Sequence, residues 1–163
     1  MGYIPDNYFC DCDKYREYSI PEYTISIGRR AFEDCDNFRT LKIPPHVVNI
    51  SRSAFTGCTF LINLTIPDSV ETIEPFAFSH CYNLTRVAIG DNLKTLGDCA
   101  FWNCPNLKYI TINSTSLTSI GEDIFGRCPK LKEIHYNSSM NPELLKLKGN
   151  RKALKIICTD GVY

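Results

Sequence analysis

Several things are missing from this sequence, and each absence removes a class of function. No stretch approaches the ~20 consecutive apolar residues that a membrane-spanning helix needs. There is no net charge either: 18 Lys and Arg balance 18 Asp and Glu, so no overall field draws the chain to nucleic acid or to an anionic bilayer. The opening "MGYIPDNYFCDCDKY" has no basic segment followed by an apolar one, so it does not read as a signal peptide. The expectation is therefore a cytoplasmic chain as written, or a trimmed piece of an exported one. Glycine-rich phosphate loops, G-x-S-x-G and H-E-x-x-H are all lacking. Histidine is scarce, and His46, His80 and His135 share no common spacing. No enzyme, no metal site and no cofactor are expected.

Cysteine is abundant, and its number, nine, is odd. The placement of these residues gives the organisation of the chain. "AFEDC" at 31–35 returns as "AFTGC" at 54–58, "AFSHC" at 77–81, "AFWNC" at 100–104 and "IFGRC" at 124–128. Phe32, Phe55, Phe78 and Phe101 are 23 residues apart, and Phe125 follows after 24. Cys12, Cys35, Cys58, Cys81, Cys104 and Cys128 keep the same phase.

Other positions repeat with them. A Tyr, Phe or Leu stands three residues after each of these cysteines: Tyr15, Phe38, Leu61, Leu84, Leu107 and Leu131. Alternating pairs follow, such as Leu64/Ile66 and Ile110/Ile112, then a further apolar pair such as Val70/Ile73. The alternation predicts a short strand with one buried face. The A-F-x-x-C-x-x-L run predicts one face of a helical turn or two. Proline or glycine after the strand (Pro21, Pro44, Pro67, Gly90) supplies a turn. A strand and a helical segment repeating every 20–29 residues is the signature of a leucine-rich-repeat solenoid.

In a solenoid, equivalent residues of successive coils stack at about 4.7–4.9 Å. Cysteine packs in a core as a small hydrophobe with a weak donor, so the six in-phase cysteines and Phe32, Phe55, Phe78, Phe101 and Phe125 read as structural core ladders. A zinc site would want a second close cysteine pair to face Cys10–Cys12, and there is none. A thiol nucleophile would want a partner base, yet the residue before each other ladder cysteine is Asp11, Asp34, Gly57, Asn103 or Arg127, so His80 is one variant of a variable position. Parallel stacked side chains do not readily reach the torsion of a disulfide, so free buried thiols are expected, with Cys10 and Cys99 more exposed and Cys158 outside the repeats.

These units resemble BspA-type leucine-rich repeats, carried best by "ISRSAFTGCTFLINLTIPDSV" (50–70) and "IEPFAFSHCYNLTRVAIGDNL" (73–93). The resemblance covers roughly residues 4–137. It implies an α/β right-handed solenoid of about six coils, with a parallel β-sheet on one face and short helical segments on the other. It also implies no catalytic residues and a role in adhesion or protein recognition at a bacterial surface. The array is expected over 1–137 and a C-terminal cap over 138–163. In "NPELLKLKGN" (141–150), Asn141 is the N-cap, Pro142 the first helical residue and Gly149 the stop. Leu144, Leu145 and Leu147 would cover the last coil, and "ALKIICTDG" (153–161) would close with a strand and turn.

Function is expected on the outward residues of the strand. One row runs Glu17, Thr40, Asn63, Arg86, Tyr109, Glu133 and the other Ser19, Lys42, Thr65, Ala88, Thr111, His135. Extended repeat faces of this kind bind partners, and Arg and Tyr are enriched at binding hot spots. The candidate binding residues are Asn63, Thr65, Arg86, Tyr109, Thr111 and His135. The partner is a protein or a glycan, without nucleic acid or membrane insertion, met by a monomer. Phe76, Tyr82 and Trp102 form a second aromatic candidate, at phases that other coils fill with polar residues or proline. The N-x-S/T triplets at Asn49, Asn63, Asn83, Asn113 and Asn137 fall within the repeat pattern and read as unused. Secretion or surface display, an intracellular scaffold and a plain spacer all remain open readings.

Overall fold

The computed structural model describes residues 2–9, 19–36, 39–139, 142–149, 151–159 and 161–162. Its strands, in chain order, are β1 (Tyr3–Ile4), β2 (Ser26–Ile27), β3 (Thr40–Lys42), β4 (Asn49–Ile50), β5 (Asn63–Ile66), β6 (Thr72–Ile73), β7 (Arg86–Ile89), β8 (Thr95–Leu96), β9 (Tyr109–Ile112), β10 (Ser119–Ile120), β11 (Glu133–Tyr136), β12 (Lys155–Cys158) and β13 (Gly161–Val162). They form two sheets. The large one runs β13-β12-β11-β9-β7-β5-β3, and the narrow one runs β1-β2-β4-β6-β8-β10. All pairings are parallel except β12 with β13. The chain is thus the expected repeat solenoid. The second to fifth coils each supply a longer strand from the L-x-I pair and a two-residue strand from the apolar pair ahead of the A-F segment. The second strand is one that the alternation rule, which needs four residues or more, does not see.

The third side of the coil differs from the expected helical segment: it is a chain of tight turns. Two residues per coil sit at left-handed φ. One precedes the alanine (Arg30 54°, Ser53 57°, Phe76 61°, Cys99 54°) and the other precedes the cysteine (Asp34 56°, Gly57 75°, His80 60°, Asn103 56°, Arg127 54°). Each such residue halts helix propagation, at about 1–2 kcal/mol for a side chain bearing Cβ. Hydrogen bonds between coils offset that cost. Arg30, Phe32 and Asp34 donate their N–H groups to the carbonyls of Arg52, Ala54 and Thr56 one coil on, at 3.1, 2.8 and 2.8 Å. The residues between them, Ala31, Glu33 and Cys35, close turns to Gly28, Arg30 and Phe32 within their own coil. A helix would aim these donors along its own axis, away from the carbonyls of the next coil.

The core lies between these three sides. Phe9, Phe32, Phe55, Phe78, Phe101 and Phe125 stack in one column, with ring centroids 5.1–5.8 Å apart. Phe32 through Phe125 are all buried. Beside the column run the cysteines, and their thiols have a specific task. Cys58, Cys81, Cys104 and Cys128 donate to the carbonyls of Phe32, Phe55, Phe78 and Phe101 in the preceding coil, at 3.2–3.5 Å. At Phe32 and Phe55 the turn N–H of Cys35 or Cys58 takes the other lone pair. None of these four cysteines is in a disulfide, nor is Cys99 or Cys158. Cys35 departs from the expectation of free thiols, being disulfide-bonded. Cys10 and Cys12 also lie outside them, as do Tyr15, Tyr18, Glu17, Phe38 and the N-cap Asn141.

The C-terminal cap forms as a 3₁₀ helix over Pro142–Lys148, followed by β12 and β13. Leu144 and Leu147 are buried, whereas Leu145, also expected to cover the last coil, is 49% exposed. Arg151 finishes the stack. Its guanidinium donates to the carbonyl of Phe125 at 3.3 Å and to that of Leu131. Phe125 has no cysteine of a following coil to donate to it, so the cap supplies a guanidinium in that place. The insertion at "NSTSL" (113–117) is held by buried Ser114, whose hydroxyl donates to the Leu93 carbonyl at 2.6 Å and accepts from the Ser116 N–H at 3.0 Å.

Candidate recognition face

On the large sheet, Leu64, Ile66, Val87, Ile89, Ile110, Ile112, Ile134 and Tyr136 turn inward and are buried. The residues between them are thereby fixed outward in two rows, since side chains alternate along a strand. Register pairs Asn63 with Arg86, Arg86 with Tyr109, and Tyr109 with Glu133. The second row pairs Thr65 with Ala88, Ala88 with Thr111, and Thr111 with His135. All six candidate residues are therefore on one face.

Arg86 and Tyr109 do more than adjoin. The guanidinium lies 4.9 Å from the centroid of the tyrosine ring, and the ring remains 53% exposed. A cation held over an aromatic face contributes about 0.5–1 kcal/mol at an exposed site, and it fixes two flexible side chains in one arrangement before any partner arrives. Glu133 and His135, two apart on one strand, bring carboxylate and imidazole to 3.8 Å, an ion pair when the histidine is protonated. Lys42 pairs with Glu22 at 2.7 Å.

Where the fourth coil departs from the repeat, the face has a hollow. Gly90 stands where the third coil has Pro67, and Ala88 stands between Thr65 and Thr111. Thr65, Pro67, Ala88, Gly90 and Asn113 line a depression of about 420 Å³. Gly90 is required there: a Cβ would lie 2.7 Å from the Cα of Asp68, whose carboxylate accepts the Asp91 N–H at 3.2 Å. The hollow lies next to the row that carries Arg86 and Tyr109.

The second aromatic candidate divides. Trp102 and Tyr82 gather around His80, with ring centroids 5.0 and 5.9 Å from the imidazole, while Phe76 stands apart under Arg52. The His80 ring lies within hydrogen-bond reach of the Tyr82 hydroxyl at 3.2 Å and receives the Asn103 amide at 3.1 Å. Arg127 covers the Trp102 ring at 4.8 Å. Cys81 points the other way, into the core toward the Phe55 carbonyl, so His80 and Cys81 form no dyad. Burial pushes the Cys58 thiol far up, and Cys81, Cys104 and Cys128 are raised as well, the reverse of what a thiolate nucleophile needs. Among the described residues no cluster of His, Cys, Asp and Glu could hold a metal ion, and no helix is long and apolar enough to cross a membrane.

The profile of the BspA type leucine rich repeat region matches residues 2–132, in six copies. Among solved structures, a leucine-rich repeat protein of T. pallidum is 27% identical, with a TM-score of 0.66 over 69% of this chain and 52% of that one. The pneumococcal vaccine antigen PcpA is 21% identical, with a TM-score of 0.70 over 88% of this chain and 41% of its own. A leucine-rich repeat protein from Eubacterium ventriosum is 19% identical, with a TM-score of 0.67 over 87% and 41%. The chain thus spans about half or less of the length of these structures. Among curated proteins none matches it.

Proposed function

The chain belongs to the BspA-type leucine-rich repeat family, and from that premise we propose that it is a non-catalytic recognition module of a bacterial surface or secreted protein, holding a protein or glycan on the outward face of its large sheet. The observation that carries this reading is the Arg86–Tyr109 pair, preset at 4.9 Å beside the hollow at Ala88 and Gly90. A binding face gains from side chains already held in their bound arrangement, because less freedom is lost on association. Display at a surface is supported by the company the fold keeps, which includes a vaccine antigen.

The test is a binding screen against host matrix proteins, bacterial surface proteins and glycans, run beside the double variant Arg86→Ala/Tyr109→Ala. Both side chains are exposed, so the variant should melt within the few degrees that a surface change allows. A hit weakened tenfold or more in the variant supports the face as the site; a hit that the variant keeps places recognition elsewhere. A clean panel shifts the weight to a spacer.

A further inference from the structure

The zero net charge conceals a separation of charge across the recognition face. Beyond the C-terminal ends of the strands the rim is acidic, with Glu22, Asp68 and Asp91 at equivalent places in the first, third and fourth coils, all exposed, and Pro45 in the second. The opposite edge, where the chain enters the strands, is basic over the last coils: Lys108, Lys130, Lys132, Lys152 and Lys155 are all exposed. Glu133 is the one acid among the described residues at these positions, and it is engaged by His135.

Elsewhere the coils set opposite signs beside each other, as in Lys42–Glu22 at 2.7 Å and Lys94–Glu71 at 2.9 Å. Here they do not. Lys108 and Lys132 each stand one residue ahead of the paired Tyr109 and Glu133, so they are neighbours at about the 4.8 Å strand spacing. The backbone holds them there: the Lys108 N–H donates to the Thr85 carbonyl at 3.0 Å, and the Lys132 carbonyl accepts the Lys155 N–H at 3.0 Å. Among the described residues neither lysine has an ion-pair partner. Like charges at directly opposed positions destabilise a sheet, so the free protein carries a repulsion that an anionic partner would remove.

Past a polar coil that carries Asn83 and Thr85, the same edge becomes apolar. Two and three coils earlier, the place of Lys108 and Lys132 is taken by Ile62, 40% exposed, and the place of Lys130 by Phe60, 46% exposed; Tyr109 adds a third exposed apolar side chain. From Ile62 to Lys155 is four strand spacings, about 19 Å, the reach of roughly six residues of extended peptide. A sulfated glycan would satisfy the lysines but leave Phe60 and Ile62 facing water. We propose that this strip docks an acidic polypeptide segment that also carries apolar side chains. The proposal rests on the reading of the sheet as the recognition face and names the chemistry of its partner.

The experiment is fluorescence anisotropy with a short synthetic peptide rich in Glu and Asp and containing Leu and Phe. Its comparators are the same peptide with Gln and Asn in place of the acids, and heparin. The expected result is binding of the acidic peptide alone, weakened by added salt and weakened tenfold or more by Lys108→Glu/Lys132→Glu. The remote reversal Arg29→Glu should change it less than twofold. No binding of the acidic peptide, equal binding by the double reversal, or binding of heparin with the peptide excluded would each overturn the proposal. Failure here is separable from failure of the wider reading. A screened ligand lost in Arg86→Ala/Tyr109→Ala but kept in Lys108→Glu/Lys132→Glu leaves the face and removes the acidic partner. A ligand kept by both variants removes the face itself.

Discussion

The interior coils and the last coil solve the same problem by different means. In the interior, the carbonyls of Phe32, Phe55, Phe78 and Phe101 are each met by the thiol of the next coil, so that one repeated residue serves the whole column. At Phe125 the column ends, and the carbonyl is met instead by Arg151, a residue with no counterpart in the repeat. A repeating unit can be neutral, small and weakly bonded because each copy supports its neighbour. A terminus has no neighbour and takes one strong, charged donor reaching in from the cap. Cysteine at this position is therefore explained by more than its size: an alanine or valine would fit the column and leave the carbonyl short of a donor.

The difference can be tested from its most disruptive change to its least. Phe78→Ala removes a ring packed between Phe55 and Phe101 and should cost about 3–5 kcal/mol, read as a lower denaturant midpoint. If the cost stays below 1 kcal/mol, the column is not what holds the coils together. Arg151→Met keeps the bulk but takes donors from two carbonyls; hydrogen bonds of charged groups are worth about 1.5–3 kcal/mol. Hydrogen exchange should then open first at β12 and the last coil, with the interior protected. Uniform loss of protection would mean that the end is not a separate unit.

Alkaline pH addresses the interior alone. The ladder thiols have raised folded-state pKa values, at Cys58 through burial above all. Below the ordinary thiol range both states are protonated and their full contribution is present. As pH rises above that range the unfolded chain loses protons that the folded chain keeps, and stability falls by about 1.4 kcal/mol per pH unit for each such thiol. An unfolding midpoint unchanged between neutral and strongly alkaline pH would contradict the buried-thiol account. The smallest effect is expected at Thr65→Ala on the outward row, within about 0.5 kcal/mol; a larger loss would mean that this face is structural.

Much of this architecture is visible in the residues themselves. The phase of Phe and Cys gives the coil, and the L-x-I alternation gives the large sheet and names its outward rows, including Arg86 beside Tyr109. What misleads is the A-F-x-x-C-x-x-L run, whose apolar spacing imitates a helix although the backbone alternates between turns and bonds to the next coil. A local signal does stand there: the residues before the cysteines include Asp34, Gly57 and Asn103, types that tolerate left-handed φ. His80 and Arg127 at the same place hide it. The role of Arg151 has no such signal, since it depends on two carbonyls 26 and 20 residues away. The basic strip escapes notice for a different reason, as Lys108, Lys130, Lys132 and Lys155 cancel against distant acids in any sum over the chain.

The hydrogen bonds that tie each coil to the next have a mechanical consequence. They run along the stack, so a pull that lifts the last strand away loads the ladder of one coil at a time, as a zip is loaded at its slider. Such a molecule should yield in a series of small, equal steps, with the first rupture at the arginine and each later one at a thiol. Pulled from its two ends, it would lengthen coil by coil before it came fully apart.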